Sequence, residues 1–420
     1  MKKLTFILCL FVLFNLAHAE EPEDACYSCH IEEDREEDLE DQLFSDYLND
    51  VHVKLGFDCS DCHGGDPEAY DDVDEAMWDN DTYLGEISEM DEINVCGKCH
   101  SDPTFMRQYS IDVSTDQVKE YWTSQHGISL KNGVNKVATC TDCHNVHGIK
   151  KVDDPRSLVY PLNVPQTCAG CHSSESYMKG FTTRTNQYDG YVKSVHGIAL
   201  LEKKDIYAPA CNDCHGNHGA IPPTVGSIEQ ICGSCHPQNR DLFKASKIGK
   251  IFDEKGLPEC ESCHGNHAIA KPTDDLLNWE TQAICRNCHP QGGIYKDFAD
   301  ELFGIIHNLD TRLEDARHLV EQAEIKGMEI SDLYFKLDDA HNALIHTRTS
   351  IHSFDLDFVN ETAAPGLKAT EEAMEGATAS LAEFNFRRKG LFGASLIISI
   401  LALLMYVKLR QTEKEGRGTE

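Results

Sequence analysis

Positive charge is scarce in this chain of 420 residues: 38 lysines and arginines stand against 71 aspartates and glutamates, for a formal net charge of −33. So acidic a surface argues against nucleic acid and anionic lipid as partners, and it favours a basic protein or a carrier with a positive face. Long apolar runs are scarce too. They occur only near the two ends, at 4–16 and 390–407. EF-hand spacing is missing from the acidic run 66–92, which leaves calcium there without a motif. That run reads as a solvated surface insertion or a docking patch for a basic partner.

Cysteine is the residue in excess, with 19 in all. Eighteen of them fall in one five-residue pattern, Cys-x-x-Cys-His. The pairs are Cys26 and Cys29, Cys59 and Cys62, Cys96 and Cys99, Cys140 and Cys143, Cys168 and Cys171, Cys211 and Cys214, Cys232 and Cys235, Cys260 and Cys263, Cys285 and Cys288. The histidines that close them are His30, His63, His100, His144, His172, His215, His236, His264 and His289. This is the attachment signature of c-type haem. The two thiols reach the vinyl groups of one porphyrin, and the histidine lies beneath the ring as proximal iron ligand. Zinc knuckles use Cys-x-x-Cys but need no histidine directly after each second cysteine. A disulfide framework would not repeat in so fixed a spacing. The chain is therefore read as carrying nine covalently bound c-type haems.

With about 29 residues per motif, the segment from 26 to 289 cannot build an ordinary side-chain core. The expected fold is mainly α with many loops and little strand, packed around haem. A helical bundle or hairpin and one transmembrane helix follow it.

The odd cysteine, Cys9, sits in the first apolar run. Lys2 and Lys3 precede that run and Ala17-His18-Ala19 follows it. This pattern fits an export signal over 1–19; an uncleaved N-terminal anchor is the alternative. At the other end, 390–407 is uncharged, flanked by Arg387-Arg388-Lys389 and Lys408, and just long enough to span a bilayer. A buried soluble helix is the other reading. The expected organisation is a haem domain over 20–292, a helical domain over 293–388, a transmembrane helix over 389–408 and a cytoplasmic tail over 409–420. The haem domain would then lie in the periplasm, on a single-pass protein of the cytoplasmic membrane.

An internal repeat begins near Tyr47. Its clearest copies open at Tyr121-Trp122-Thr123-Ser124-Gln125-His126-Gly127 and Tyr191-Val192-Lys193-Ser194-Val195-His196-Gly197. Each leads to a motif trailed by a further His-Gly, and a second motif closes the unit. One leading haem plus four two-haem units results. His52, His126 and His196 recur before a motif; His147, His218 and His267 recur three residues after a motif histidine. These six are expected to be distal ligands. The latter three lie too close to fold over their own ring, so they should cap a neighbouring haem. Asp66 and Ile248 stand where the outermost copies would carry histidine.

From 293 to 388 the pattern turns helical. Phe298, Leu302, Ile305, Leu309, Leu313, Ala316 and Val320 step by three and four. Ser331 is a plausible cap for a second helix with a seam from Leu333 to Phe358, and a third is expected from Pro365 to Arg388. His307 and His352 are the candidates for further iron ligands; His318, His341 and His346 stay open. Arg348 is a candidate partner for a haem propionate.

The nine motifs and the recurring His-Gly resemble the multihaem cytochromes c of the c3-like, doubled Cys-x-x-Cys-His group, over about Cys26 to His289. The tail, with His341 to Asp355 and Phe386-Arg387-Arg388-Lys389-Gly390-Leu391, looks like that of membrane-anchored bacterial members. The resemblance implies bis-histidine haems in close pairs, and electron transfer in place of substrate chemistry. Long helices also follow the haem domains of the octahaem hydroxylamine oxidoreductase and pentahaem nitrite reductase families. However, this chain has no Cys-x-x-Cys-Lys motif.

Three functions follow as expectations. The first is a membrane-anchored conduit between a quinol-oxidising or b-type cytochrome partner and soluble or outer-membrane cytochromes. The second is a haem oxidoreductase with one open haem, for instance at Cys26, acting on a small nitrogen or sulfur compound. The third is a structural anchor that docks a catalytic subunit.

Overall fold

The computed structural model describes residues 24–33, 40–78, 81–223 and 225–417. The expected export signal over 1–19 lies outside the described residues, as does the very end of the expected tail. Among the described residues there are helices and turns and no strand, the mainly helical class that the sequence implies. The chain forms two compact units. One runs to residue 223 and includes 267–269; the other holds 224–266 and everything from 270 onward.

The first unit has little core. One cluster is Ile93, Tyr121, Leu130 and Val137; another is Val164, Tyr191, Leu200 and Ala210. Four buried side chains per cluster are far fewer than a domain of this length needs, so other material must fill the interior. Local hydrogen bonds fix the geometry around these clusters. In each clear repeat a short helix ends at tyrosine and the next begins at a capping serine. The Ser124 and Ser194 hydroxyls accept from the Gly127 and Gly197 amides at 2.9 and 3.0 Å, and they donate back to the Tyr121 and Tyr191 carbonyls. The tyrosine hydroxyls then tie this corner to the following motif. Tyr121 donates to the Ala138 carbonyl at 3.0 Å and Tyr191 to that of Pro209 at 2.8 Å. The Tyr191→Phe variant should keep the fold and lose about 1 kcal/mol in a denaturant melt. The second unit has the same corner at Phe243, Ser246 and Gly249, with phenylalanine in place of the tyrosine.

The motif helices are also capped alike. The Asp61, Asp142 and Asp213 side chains accept from the amides of Asp58, Thr139 and Ala210, one residue before the first cysteine. After the motif histidine the backbone turns through positive φ at Gly64, Asn145, Gly216 and Gly265. That turn carries the following His-Gly away from the ring just passed.

In the second unit three long helices make a bundle: Ile294–Ile325, Ser331–Ser350 and Leu356–Arg417. Its core is Ile306, Leu309, Leu313, Ala316, Val320, Leu337, Ala340 and Leu344 against Ala363, Ala369, Ala373 and Ala377. Ile306, fully buried, takes the central place that the spacing gave to Ile305. The second helix stops earlier than its seam suggests. It ends at Ser350, and the turn Ile351–Ser353 leads to Phe354 at φ +50. The third begins at Leu356 and passes straight through Pro365, joining the expected bundle helix and the apolar segment into one rod of 62 residues. Asp355 starts it, its carboxylate accepting from the Asp357 and Phe358 amides.

The bundle has a direction. A Cβ on Gly366 would press on Ala343 and Leu309, and one on Gly376 would press on Leu333. Lys326 lies over the Phe384 ring at 5.8 Å. The third helix therefore runs antiparallel to the second and alongside the first. Its apolar segment leaves at the end opposite the turn Ile351–Ser353. This helix alone among the described residues is long and apolar enough to cross a membrane, and its apolar window is wholly exposed. That fits a single-pass anchor.

Candidate functional site

The histidines fall into facing pairs. His52 faces His100, with ring centroids 6.0 Å apart; His63 faces His147 at 6.1 Å; His126 faces His172 at 6.1 Å. His144 faces His218 at 6.2 Å, His215 faces His267 at 5.9 Å, and His264 faces His352 at 6.2 Å. A metal–imidazole bond is about 2.0–2.1 Å and the ring centre lies about 1.1 Å behind the bonding nitrogen. Two imidazoles on opposite sides of one iron thus have centroids about 6.3 Å apart. Van der Waals stacking would bring them far closer. Every pair joins one motif histidine to one histidine outside a motif, the donor set of a bis-histidine haem. Among the described residues no group of three or more His, Cys, Asp or Glu side chains gathers as a tetrahedral zinc would need.

Ring chemistry agrees. Burial pushes His100, His126, His144, His147, His172, His218, His264 and His352 below the ordinary 6.5, favouring the neutral form that binds metal. The Nδ1–H groups of His63, His215 and His352 donate to the carbonyls of Gly85, Ile221 and Thr349 at 3.2, 3.3 and 2.9 Å. A carbonyl only accepts, so Nε2 carries the lone pair that faces the metal.

His52 is held by Asp50, which occupies the place of the capping serine in this first copy of the repeat. The buried carboxylate accepts from His52 Nδ1 at 3.0 Å, from the His52 amide at 2.8 Å and from the Ile149 amide at 2.6 Å. Burial pushes the Asp50 carboxyl up, but these hydrogen bonds outweigh it and hold the group below 3.8. Its contribution to stability is complete above 3.8 and is lost as pH falls through the lowered value. Asp50→Ala should cost about 2–3 kcal/mol in a denaturant melt at neutral pH and flatten that acid limb. Sequence reading missed Asp50. The alignment of Tyr47-x-x-Asp50-x-His52 with Tyr121-x-x-Ser124-x-His126 was the signal for it.

The pairs follow a rule. The histidine before a motif faces the closing motif of its own unit, as His52 does His100 and His126 does His172. The histidine after a motif faces the opening motif of the preceding unit, as His147 does His63, His218 does His144 and His267 does His215. Backbone bonds brace the same places. The amides of Val51, Gln125 and Val195 donate to the carbonyls of Ile149, Ala220 and Ile269, each at 2.9 Å. His264 has no later unit to draw on, and His352, from the bundle turn, takes that role.

Within each compact unit, successive motifs lie side by side in chain order. None of the eighteen motif cysteines is fully buried. Cys96 lies beside Cys140, Cys168 beside Cys211, and Cys232 beside Cys260. Cys26 lies near Cys59, Cys62 near Cys96, Cys143 near Cys168 and Cys263 near Cys285.

The remaining candidates are placed differently. His196 holds the third equivalent position in the repeat, next to Gly197. His307 is exposed on the first long helix with its ring against Phe303 at 5.3 Å. His289 stacks on Tyr295 at 3.6 Å. Arg348 makes a two-point ion pair with Asp274, at 2.9 and 2.7 Å, and also meets Asp310, so its charge is already matched by carboxylates.

Helical units strung on Cys-x-x-Cys-His motifs, with imidazoles facing at the span of one iron, define a multihaem cytochrome c. The cytochrome c3 family profile matches residues 51–173 and 204–290, half of the chain, and the protein belongs to that family. It is also similar to the multiheme cytochrome MtrA of Shewanella baltica (strain OS185), with 23% identity over 223 residues, 52% of this chain and 53% of the relative. The chain thus spans about half the length of that curated relative. No solved structure matches it.

Proposed function

We propose that the protein is a membrane-anchored, nine-haem electron conduit in the periplasm. It would pass electrons between the quinone pool of the cytoplasmic membrane, through a quinol-oxidising or b-type cytochrome partner, and soluble or outer-membrane cytochromes. The observation that carries this reading is the ladder of six histidine pairs at 5.9–6.2 Å. When bound, the haems supply one-electron couples whose potentials follow ligand, burial and charge. The chain's part is to hold and orient the rings. Motif cysteines would hold the porphyrins, and the motif histidines with their paired histidines would supply the iron ligands. His196 belongs to the same ligand set by its place in the repeat. His307 is given no iron here, because its ring neighbour is Phe303.

The bundle sets where the second unit's motifs stand. His352 sits at the turn preceding Leu356, and about 50 Å of helix, at 1.5 Å per residue, separates that turn from the apolar segment. The anchor is a stalk that lifts these motifs clear of the bilayer. A membrane partner must therefore reach up along the stalk to deliver electrons. The acidic surface steers basic acceptors toward the protein.

The test is stopped-flow oxidation of the dithionite-reduced, detergent-solubilised full chain by c-type cytochromes of opposite charge. A cationic acceptor should react at least tenfold faster than an anionic one, and the gap should close as salt rises. Failure to reduce either acceptor would contradict the conduit.

A further inference from the structure

We infer that the haem held by Cys285 and Cys288 lacks a protein ligand on its distal side and takes a small exogenous ligand there. The inference rests on the pairing rule above. In that rule the histidine before a motif serves the closing motif of its own unit. In the last unit this residue is Ile248, and the closing motif is Cys285–His289. The corner that carries Ile248 is otherwise intact. Ser246 accepts from the Gly249 amide at 2.9 Å and donates to the Phe243 carbonyl at 2.6 Å, as its serine counterparts do beside His126 and His196. A Cβ on Gly249 would lie 2.1 Å from the Phe243 carbonyl oxygen, the same close approach found at Gly127 and Gly197. The backbone is that of a ligand-bearing turn, while the side chain is aliphatic and binds no iron.

The second observation concerns His289 itself. Tyr295 lies on its face, centroids 3.6 Å apart and planes 12° from parallel. A group opposite His289 across an iron would sit about 6.3 Å away, as derived for the pairs. Tyr295 is therefore a neighbour on the proximal side and not a distal ligand. The other histidines of the bundle are engaged or directed elsewhere. His307 lies on Phe303, His318 contacts Gln322 at 3.2 Å, and His341 and His346 are exposed on the second long helix. Ile248 offers neither a hydrogen-bond donor nor a positive charge to an anion. The open position thus suits a compact neutral ligand, with carbon monoxide as the probe.

The experiment uses the haem-loaded full chain in detergent, with haem content measured by pyridine haemochrome. The ferric protein is examined by EPR, and the ferrous protein is titrated with carbon monoxide. The wild type should show high-spin signal matched by carbon monoxide binding. That signal should fall by one haem equivalent in Ile248→His and stay unchanged in Ile248→Val. A wholly low-spin wild type that binds no carbon monoxide overturns the inference, while low-spin haems in the expected number leave the pairing rule standing. Persistence of the full signal in Ile248→His at unchanged haem content also overturns it. So does the appearance of a new high-spin haem in His307→Ala, which would make His307 the missing ligand.

Discussion

His218→Ala should convert one haem to five-coordinate and high-spin, and that haem should be the one on Cys140 and Cys143. The haem on Cys211 and Cys214, in whose motif trailer His218 lies, should keep its low-spin spectrum. The reason is geometric. His218 faces His144 at 6.2 Å with planes 9° apart, while His215 faces His267 at 5.9 Å. Axial ligands tune haem potentials over a range of about 0.8 V, so the altered haem should also leave the wild-type redox profile. Magnetic circular dichroism and a potentiometric titration read the two effects. The complementary variant, His267→Ala, should alter the haem on Cys211 instead. If either variant changes the haem of its own motif, the pairing between successive units is wrong.

The largest expected loss of stability comes from Gly197→Ala. A Cβ at this position would stand 2.0 Å from the Tyr191 carbonyl oxygen, 2.8 Å from its carbon and 3.0 Å from the Val192 Cα. All three are backbone atoms held by the Ser194 corner, so no side chain can swing aside. The cost should reach or exceed about 3 kcal/mol, the upper end for overpacking. His196 is adjacent and should lose its position with the turn, so haem content should fall together with stability. Gly304→Ala is the control. Nothing lies within 4 Å of its added Cβ, and Gly304 is inside the helix Ile294–Ile325. It should be neutral or stabilising by about 0.5–1 kcal/mol in the same denaturant melt.

Much of this was legible in the sequence, because the motif is rigidly spaced and the repeat carries its ligands at fixed offsets. That a residue three positions after a motif histidine must serve another ring follows from chain geometry alone. The partner it serves does not. It is set by the positive-φ turns at Gly64, Asn145 and Gly216 and by the amide bonds from Val51, Gln125 and Val195. Those are contacts between distant parts of the chain. The seam from Leu333 to Phe358 would put His352 inside the second helix, but the helix ends at Ser350 and His352 occupies a turn. Ser350-Ile351-His352-Ser353-Phe354 holds no glycine or proline to mark that stop. Asp355 was a start signal in plain view: its carboxylate accepts from the amide of Asp357, two residues on. Pro365 is a competing start signal, because proline is favoured at a helix start, whereas here it lies inside a helix supported by two neighbours.

Iron positions test the central claim most directly. An anomalous-scattering or cryo-EM map of the haem-loaded full chain should place one iron midway between each of the six histidine pairs, with the Cys140 haem iron bound by both His144 and His218. An iron bound by His215 and His218 together, or a His218 bound to no iron, would contradict the account.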